Sequence, residues 1–556
     1  MNMRASSLRS LIRKTVVCLF ASIYLAGCVG PPPPEDFDPP EQTIGERLFL
    51  ETRFAEYFAA NMTDINSPLA VGDSVVSQVQ NINGGPMPGP FAGQSMNCRS
   101  CHFVDEFHGV TNAGNRTYAD FTTRSPIPLA MNGFTLTPRN AMQMVGSLQT
   151  HTGPTFLHFD GEFATPQDLV EGTLTGRNFG WAPDQYQQAL AHIAQVIRQD
   201  NGKGALAANY GSLSYADTFL GTVKHTPVQF RLPPQYRLDV ATASDQQILD
   251  AVAALITQYM QSLLFQQDQQ GRYIGSPYDV FLKINNLPRQ PESGESTAQY
   301  MQRLADAVNS LANPKFVDGT MGKFQFHSQP FAFGANEFAG LKIFLSSASG
   351  AVDGSQHAGN CIACHTPPNF TDFKFHNNGA SQEEYDAANG AGAFVALAIP
   401  NLTQRSANYD AYLPATANHP NASERFRRAA DPANPQFADL GLWNVYLNPD
   451  IPHPQTNITS IVCANAQNCS VDQGLATTIA QFKTPTLRDL EDSEPYFHNG
   501  SKPKFTDVVN FYVSSSQLAR NGLLRNPPAE FQGMSISAAD VAPLSAFLIS
   551  LTEDYH

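Results

Sequence analysis

Two pentapeptides of identical spacing carry the chemistry of this chain: Cys98-Arg-Ser-Cys101-His102 and Cys361-Ile-Ala-Cys364-His365. In such a segment the two thiols can add across the vinyl groups of a haem, and the adjacent imidazole then falls beneath the iron. A thioredoxin-like site needs no histidine, and a zinc site does not explain the same five positions twice. Two covalently attached c-type haems are therefore expected, bound through Cys98, Cys101, Cys361 and Cys364, with His102 and His365 as iron ligands. That implies electron transfer or redox catalysis.

Haem attachment of this kind requires export, and the N-terminus reads as an export signal. Arg4, Arg9, Arg13 and Lys14 precede a short apolar run that ends at Leu25-Ala26-Gly27-Cys28. This fits a bacterial lipoprotein signal over 1–27, with Cys28 lipidated as the mature N-terminus. Val29 in place of Asp favours the outer membrane, so the globular part is expected in the periplasm or at the cell surface. Residues 28–42, with Pro31-Pro-Pro-Pro34 and Pro39-Pro40, read as an extended tether. Cys463 and Cys469 flank a five-residue polar loop and are expected to form a disulfide.

The length of 556 residues suggests roughly two to four domains. Charged residues make up 15% and apolar ones 42%, enough to bury sizeable cores. Loss of the leader would take the net charge from −15 to −19. Such an acidic surface argues against nucleic acid and suits basic electron donors or neutral substrates. Later apolar runs are too short for a further membrane span.

The elements that position the two pentapeptides look duplicated. Gly45-Glu-Arg-Leu-Phe49 precedes the first and Gly340-Leu-Lys-Ile-Phe344 the second, each as the end of a helix. Farther on, Phe159-Asp-Gly161 leads to Asp168-Leu-Val170, as His498-Asn-Gly500 leads to Asp507-Val-Val509, with seven residues from Gly to Asp in both. Between the halves, Ile248, Ala251, Val252, Leu255, Ile256, Tyr259, Met260, Leu263 and Leu264 follow the helical period, with Ser244 and Gln247 as a capping box. Residues 185–240 and 285–335 read as insertions. The loop-rich stretch 380–480 is expected either to cover the second haem or to form a docking surface.

Longer motifs carry a family resemblance. They are Cys361-Ile-Ala-Cys-His-Thr-Pro-Pro-Asn-Phe-Thr-Asp-Phe-Lys-Phe-His376-Asn-Asn-Gly379, Phe482-Lys-Thr-Pro-Thr-Leu-Arg488, Pro495-Tyr-Phe-His-Asn-Gly500 and Ser276-Pro-Tyr-Asp-Val-Phe-Leu282. From about Thr43 onward the chain resembles the bacterial di-haem cytochrome c peroxidase superfamily, including MauG-type enzymes and di-haem rubber oxygenases. The resemblance implies a mainly α fold with two cytochrome c-like haem domains facing each other. These would be an N-terminal one over 43–335 with the active haem, and a C-terminal one over 336–556 with the relay haem. It places the sixth ligand of the second iron at Tyr512, the MauG-type choice. Through the internal repeat Tyr512 aligns with Thr173, a poor ligand, so the first haem should keep an open face. The family's inter-domain calcium would map to Asn140 and to the backbone of Ser493 and Pro495.

The departures concern the reaction pocket. Phe159 stands where the peroxidases carry Trp, and Leu169 and Phe179 where they carry Gln and a catalytic Glu. Neither Leu nor Phe can move a proton between peroxide oxygens. Trp181 and Glu171 would restore those roles after a small register shift, and Asp105 and His108 are further candidates. The leading expectation is an enzyme that reduces hydrogen peroxide, or uses it to oxidise a partner protein or small molecule. Two alternatives stay open: a rubber-oxygenase-type enzyme using dioxygen at the first haem, suited to the apolar pocket, and a non-catalytic electron-transfer lipoprotein.

Overall fold

The computed structural model describes residues 38–77, 95–102, 136–149, 151, 153–324, 327, 329–349, 355–462, 470–491 and 493–554. The leader, Cys28, most of the tether, Asp105, His108, Cys463 and Cys469 lie outside these residues. The protein is mainly helical, as expected. Among the described residues the only named strands are β1 (Phe375–His376) and β2 (Phe482–Lys483), paired antiparallel. No described helix is long and apolar enough to cross a membrane.

Four helices build the first core: α1 (Pro40–Phe49), α2 (Pro166–Leu174), α3 (Tyr186–Gln199) and α4 (Asp245–Ser262). The stripe on α4 is buried as its period predicts, with Ile248, Val252, Leu255 and Ile256 all at 1% exposure or less. The capping box forms: Gln247 donates its backbone N–H to Ser244 Oγ, and its side chain accepts from the Ser244 N–H. Leu264 is a correction. The helix stops at Ser262, the backbone turns away at Leu263, and Leu264 is exposed. Residues 186–199 are integral, since α3 packs on α4 and buries Ile193, Val196 and Ile197 in the same core.

The second core gathers α5 (Pro277–Ile284), α6 (Ala335–Leu345), α7 (Phe505–Arg520) and α8 (Val541–Ile549), with the Thr297–Ser310 helix against them. The described core residues change allegiance between Tyr273 and Tyr278, well ahead of residue 335. Arg488 ties the motifs of this half together. Its guanidinium makes two 3.0 Å hydrogen bonds to Asp279, donates to the Pro368 carbonyl at 2.9 Å and lies 3.8 Å over the Tyr273 ring.

The internal repeat is visible in three dimensions. α1 lies along α4 as α6 lies along α8. Phe49 meets Tyr259 at 5.2 Å and Phe344 meets Phe547 at 5.0 Å between ring centres. The second matched pair is a bridged turn. Leu157 pairs with Phe163, and Tyr496 with Lys502. Positive φ falls at the same places, His158 (62°) and Gly161 (72°) against Phe497 (71°) and Gly500 (63°). Each turn then feeds a helix, α2 at Pro166 and α7 at Phe505, so the halves align without a gap.

Residues 375–480 are more than loops, for they hold a third apolar core around Trp443, Phe426, Leu440, Leu442 and Ile458. Arg405 props this core from inside. It donates to the Trp443 and Tyr446 carbonyls and stacks 4.8 Å from the Trp443 ring. Phe156 of the first half packs into it, with its ring 5.0 Å from Phe375.

Candidate haem sites

Both pentapeptides fold as the same tight turn. Cys98–Ser100 and Cys361–Ala363 are single 3₁₀ turns, and each His N–H returns to the carbonyl of the first cysteine, at 3.0 Å for His102 and 2.8 Å for His365. Asn97 caps the first turn by accepting from Ser100 N–H at 3.0 Å, and its amide donates to the Leu50 carbonyl at 2.9 Å. That bond fastens the turn to the end of α1. In the second half, the Gly359 N–H donates to the Ile343 carbonyl at 2.8 Å and does the same for α6.

The side chains suit a haem. His365 Nδ1–H donates to the Phe370 carbonyl at 3.1 Å, which fixes the tautomer and leaves Nε2 to bind a metal. Burial pushes the His365 pKa down, so the ring is neutral, as a ligand must be. Burial likewise holds His102 down to about 4, and the nearby His158 adds to this. Burial pushes the Cys98 and Cys361 thiols up to about 12. These residues fit two covalent haems.

Tyr512, on α7, is half-buried near the second attachment turn. Burial raises its pKa, and the Cys361 and Cys364 thiols push in the same direction. Its hydroxyl receives only a long contact from Asn378, at 3.5 Å. A phenol with so little competing hydrogen bonding has capacity for a metal. His376, on β1, lies at the same site: its Nε2 bonds Asp372 at 2.8 Å, and it also hydrogen-bonds the Cys364 thiol. Thr173 stands at the matching position of α2, half-buried.

Phe159 lies where the halves meet. Its carbonyl accepts from the Lys483 N–H at 2.7 Å, and its ring is 6.3 Å from His498. Phe482 stacks on His498 at 3.6 Å. Leu169 packs on the first core and Phe179 is buried in it. The two residues that a register shift would have brought in have structural work. Trp181 donates its indole N–H to the Phe54 carbonyl at 3.1 Å, and Glu171 faces Gln246 on α4.

The calcium positions come together only in part. The Asn140 amide meets the Pro495 carbonyl, and its backbone N–H donates to the His498 carbonyl at 2.7 Å. Asn140 Oδ1 is buried without a hydrogen-bond partner, an orphaned oxygen beside a carbonyl, which is the donor type calcium takes. Ser493 is turned back onto the Leu490 carbonyl, to which its N–H and hydroxyl both donate.

A buried charge network around the Phe159-Asp160-Gly161 turn has no signature in the sequence. Arg139 reaches Asp160 at 2.5 Å and holds Asp439 through two bonds of 2.6 and 2.8 Å. Arg427 grips Glu162 at 2.6 Å, and Arg177 pairs with Glu424. These pairs clamp the third core onto the first half. His158 joins through Glu162, to which its Nδ1–H donates at 3.2 Å.

No family model matches the chain, and no curated protein matches it. Among solved structures it is similar to the diheme peroxidase BthA from Burkholderia thailandensis, at 16% identity and a TM-score of 0.42 over 93% of this chain and 87% of that one. A variant of that peroxidase gives 15% and 0.40 over 93% and 87%. A MauG-like protein associated with microbial copper homeostasis gives 14% and 0.41 over 96% of both chains. Likenesses this loose assign no role to any residue here.

Proposed function

We propose that this chain is a di-haem c-type oxidoreductase of the cytochrome c peroxidase and MauG kind. One observation carries the reading: two attachment turns of the same build, each fastened to a helix of a matched pair and each ending on a half-buried imidazole. Cys98, Cys101 and His102 would hold one haem; Cys361, Cys364 and His365 would hold the other. The haems would supply the electron storage and iron chemistry that no side chain provides. Tyr512 would be the second ligand of the second iron. A phenolate is a hard anionic ligand and would lower that iron's potential. Thr173 would leave the first iron open, and peroxide would be its oxidant, with a periplasmic donor or oxidisable partner as the source of electrons. Asn140 and the Pro495 carbonyl would help to hold a calcium ion, which would supply a fixed positive charge there. A lipid on Cys28 would hold the protein at the envelope.

A second reading, dioxygen chemistry of the rubber-oxygenase type, draws on the apolar character of Leu169, Phe179 and Phe159. Pyridine haemochrome analysis with EPR of the oxidised protein tests the proposal. Two haems per chain are expected, one high-spin and one low-spin. Two low-spin haems would sink the enzyme reading, and fewer than two haems the architecture. Stoichiometric peroxide then separates the readings, since the peroxidase reading requires rapid oxidation of the resting protein.

A further inference from the structure

The first half carries Leu169 and Phe179 at the positions where the resemblance calls for proton-handling groups, yet one imidazole stands directly before Phe159. We propose that His158 is the polar residue on the open face of the first haem, with Nε2 as the basic nitrogen that takes the proton brought by a ligand such as hydrogen peroxide and returns it as a hydrogen bond to the bound oxygen. The inference rests on the haem reading above and extends it to a residue outside both attachment motifs.

The placement follows from the repeat. His158 and Phe497 occupy the same position of the same bridged turn, with φ of 62° and 71°. In the second half the Phe497 ring lies 6.0 Å from the ring of Tyr512, the residue assigned above as the further ligand of the second iron. Transferred through the repeat to the first half, the same relationship pairs His158 with Thr173, whose hydroxyl is a poor iron ligand. His158 is also close enough to His102 to act on it electrostatically.

Its orientation is fixed. Nδ1–H is held by Glu162, whose other contact is Arg427, and the ring stands edge-on to Phe163 at 4.9 Å. Nε2 has no protein partner among the described residues. An imidazole locked at one nitrogen by a carboxylate presents a defined second nitrogen to a ligand. His158, Asp160 and Glu162 also lie close enough together to suggest a separate metal site. Arg139 already neutralises Asp160, and Arg427 neutralises Glu162, so that site is disfavoured.

The test uses the full-length oxidised holoprotein with fluoride as the probe, because fluoride binds open ferric haem together with a proton, which a basic nitrogen beside it takes up and returns to the fluoride as a hydrogen bond. His158→Phe copies the residue of the second half and suits the same backbone. With two haems per chain retained, it should weaken fluoride binding roughly tenfold or more, the scale of one hydrogen bond to a charged acceptor. His158→Gln keeps an N–H and should retain most of the affinity. Glu162→Gln, which leaves His158 in place but loosens it, should show an intermediate loss and serves if His158→Phe does not fold. Unchanged fluoride affinity in His158→Phe, or in Glu162→Gln where that is the variant that folds, would overturn the proposal. So would a wild-type first haem that is low-spin and turns high-spin in His158→Phe, because His158 would then be an iron ligand. A wild-type chain with fewer than two haems removes the parent reading itself, which the haem count distinguishes from either result.

Discussion

Gly45 sits so close to the backbone of Leu255 that a Cβ added to it would come within 2.1 Å of that carbonyl oxygen. Gly340 repeats the relationship against Pro543, at 1.9 Å. Each glycine lets a pre-attachment helix press directly on the backbone of its partner, and each partner helix then offers an aromatic ring four residues on, Tyr259 or Phe547. The crossing sets where α1 and α6 end, and those ends hold the two attachment turns.

Gly45→Ala and Gly340→Ala should therefore destabilise the protein. Alanine is the better helix former by about 1 kcal/mol. Here the clash is with backbone, which cannot rotate away, and overpacking of this sort costs about 1–3 kcal/mol or more. Thermal unfolding of the holoproteins measures the balance. A raised Tm in either variant would show that the helices do not cross as closely as described.

Much of this was legible because the signals are local. The pentapeptides, the ungapped turn-and-helix repeat and the α4 stripe each occupy a few dozen residues or fewer, and their spacing alone defines them. The α4 boundary was overshot at Leu264 because hydrophobicity continued after the backbone had left the helix. The third core was unreadable for another reason. Its cohesion comes from irregular segments pinned by Arg405 to carbonyls 38 and 41 residues away, with no period to find. The Arg139–Asp439 pair spans 300 residues and leaves no trace in sequence. His158 carries no motif signal: the resemblance points to positions 169 and 179, with Glu171, Trp181, Asp105 and His108 as neighbouring candidates, while this imidazole stands one residue before Phe159.

Tyr512→Phe tests the proposed asymmetry of the two sites. The hydroxyl has only a 3.5 Å contact with Asn378 to lose, so the folding cost should stay below about 1 kcal/mol. The ring keeps its edge-on packing against Phe497, Phe511 and Phe531. If Tyr512 binds the second iron, the low-spin EPR signal should give way to a high-spin one at unchanged haem content. Persistence of the low-spin signal would assign the ligand to another residue.

Acid should find a particular weakness at Glu51, beside the end of α1. Burial by itself raises a carboxyl pKa, and at Glu51 it is the largest single influence. The combined effect of Arg53, through charge and hydrogen bonds of 2.7, 2.8 and 3.0 Å, and of the Tyr215 hydroxyl at 2.9 Å outweighs it and brings the carboxyl down to about 2. Its unfolded value is near 4.5. A folded pKa below the unfolded one means stability that is fully present above the unfolded value and is lost as pH falls through about 4.5 toward 2. The shift corresponds to about 3 kcal/mol at most. Glu51→Gln should lower the Tm near neutral pH, since Arg53 then keeps only Asp200, at 3.0 Å, as an acidic partner. Between pH 6 and pH 3 the variant should lose less Tm than the wild type, because the group whose protonation costs stability is gone. Parallel Tm profiles over that range would mean that Glu51 does not carry the acid sensitivity assigned to it.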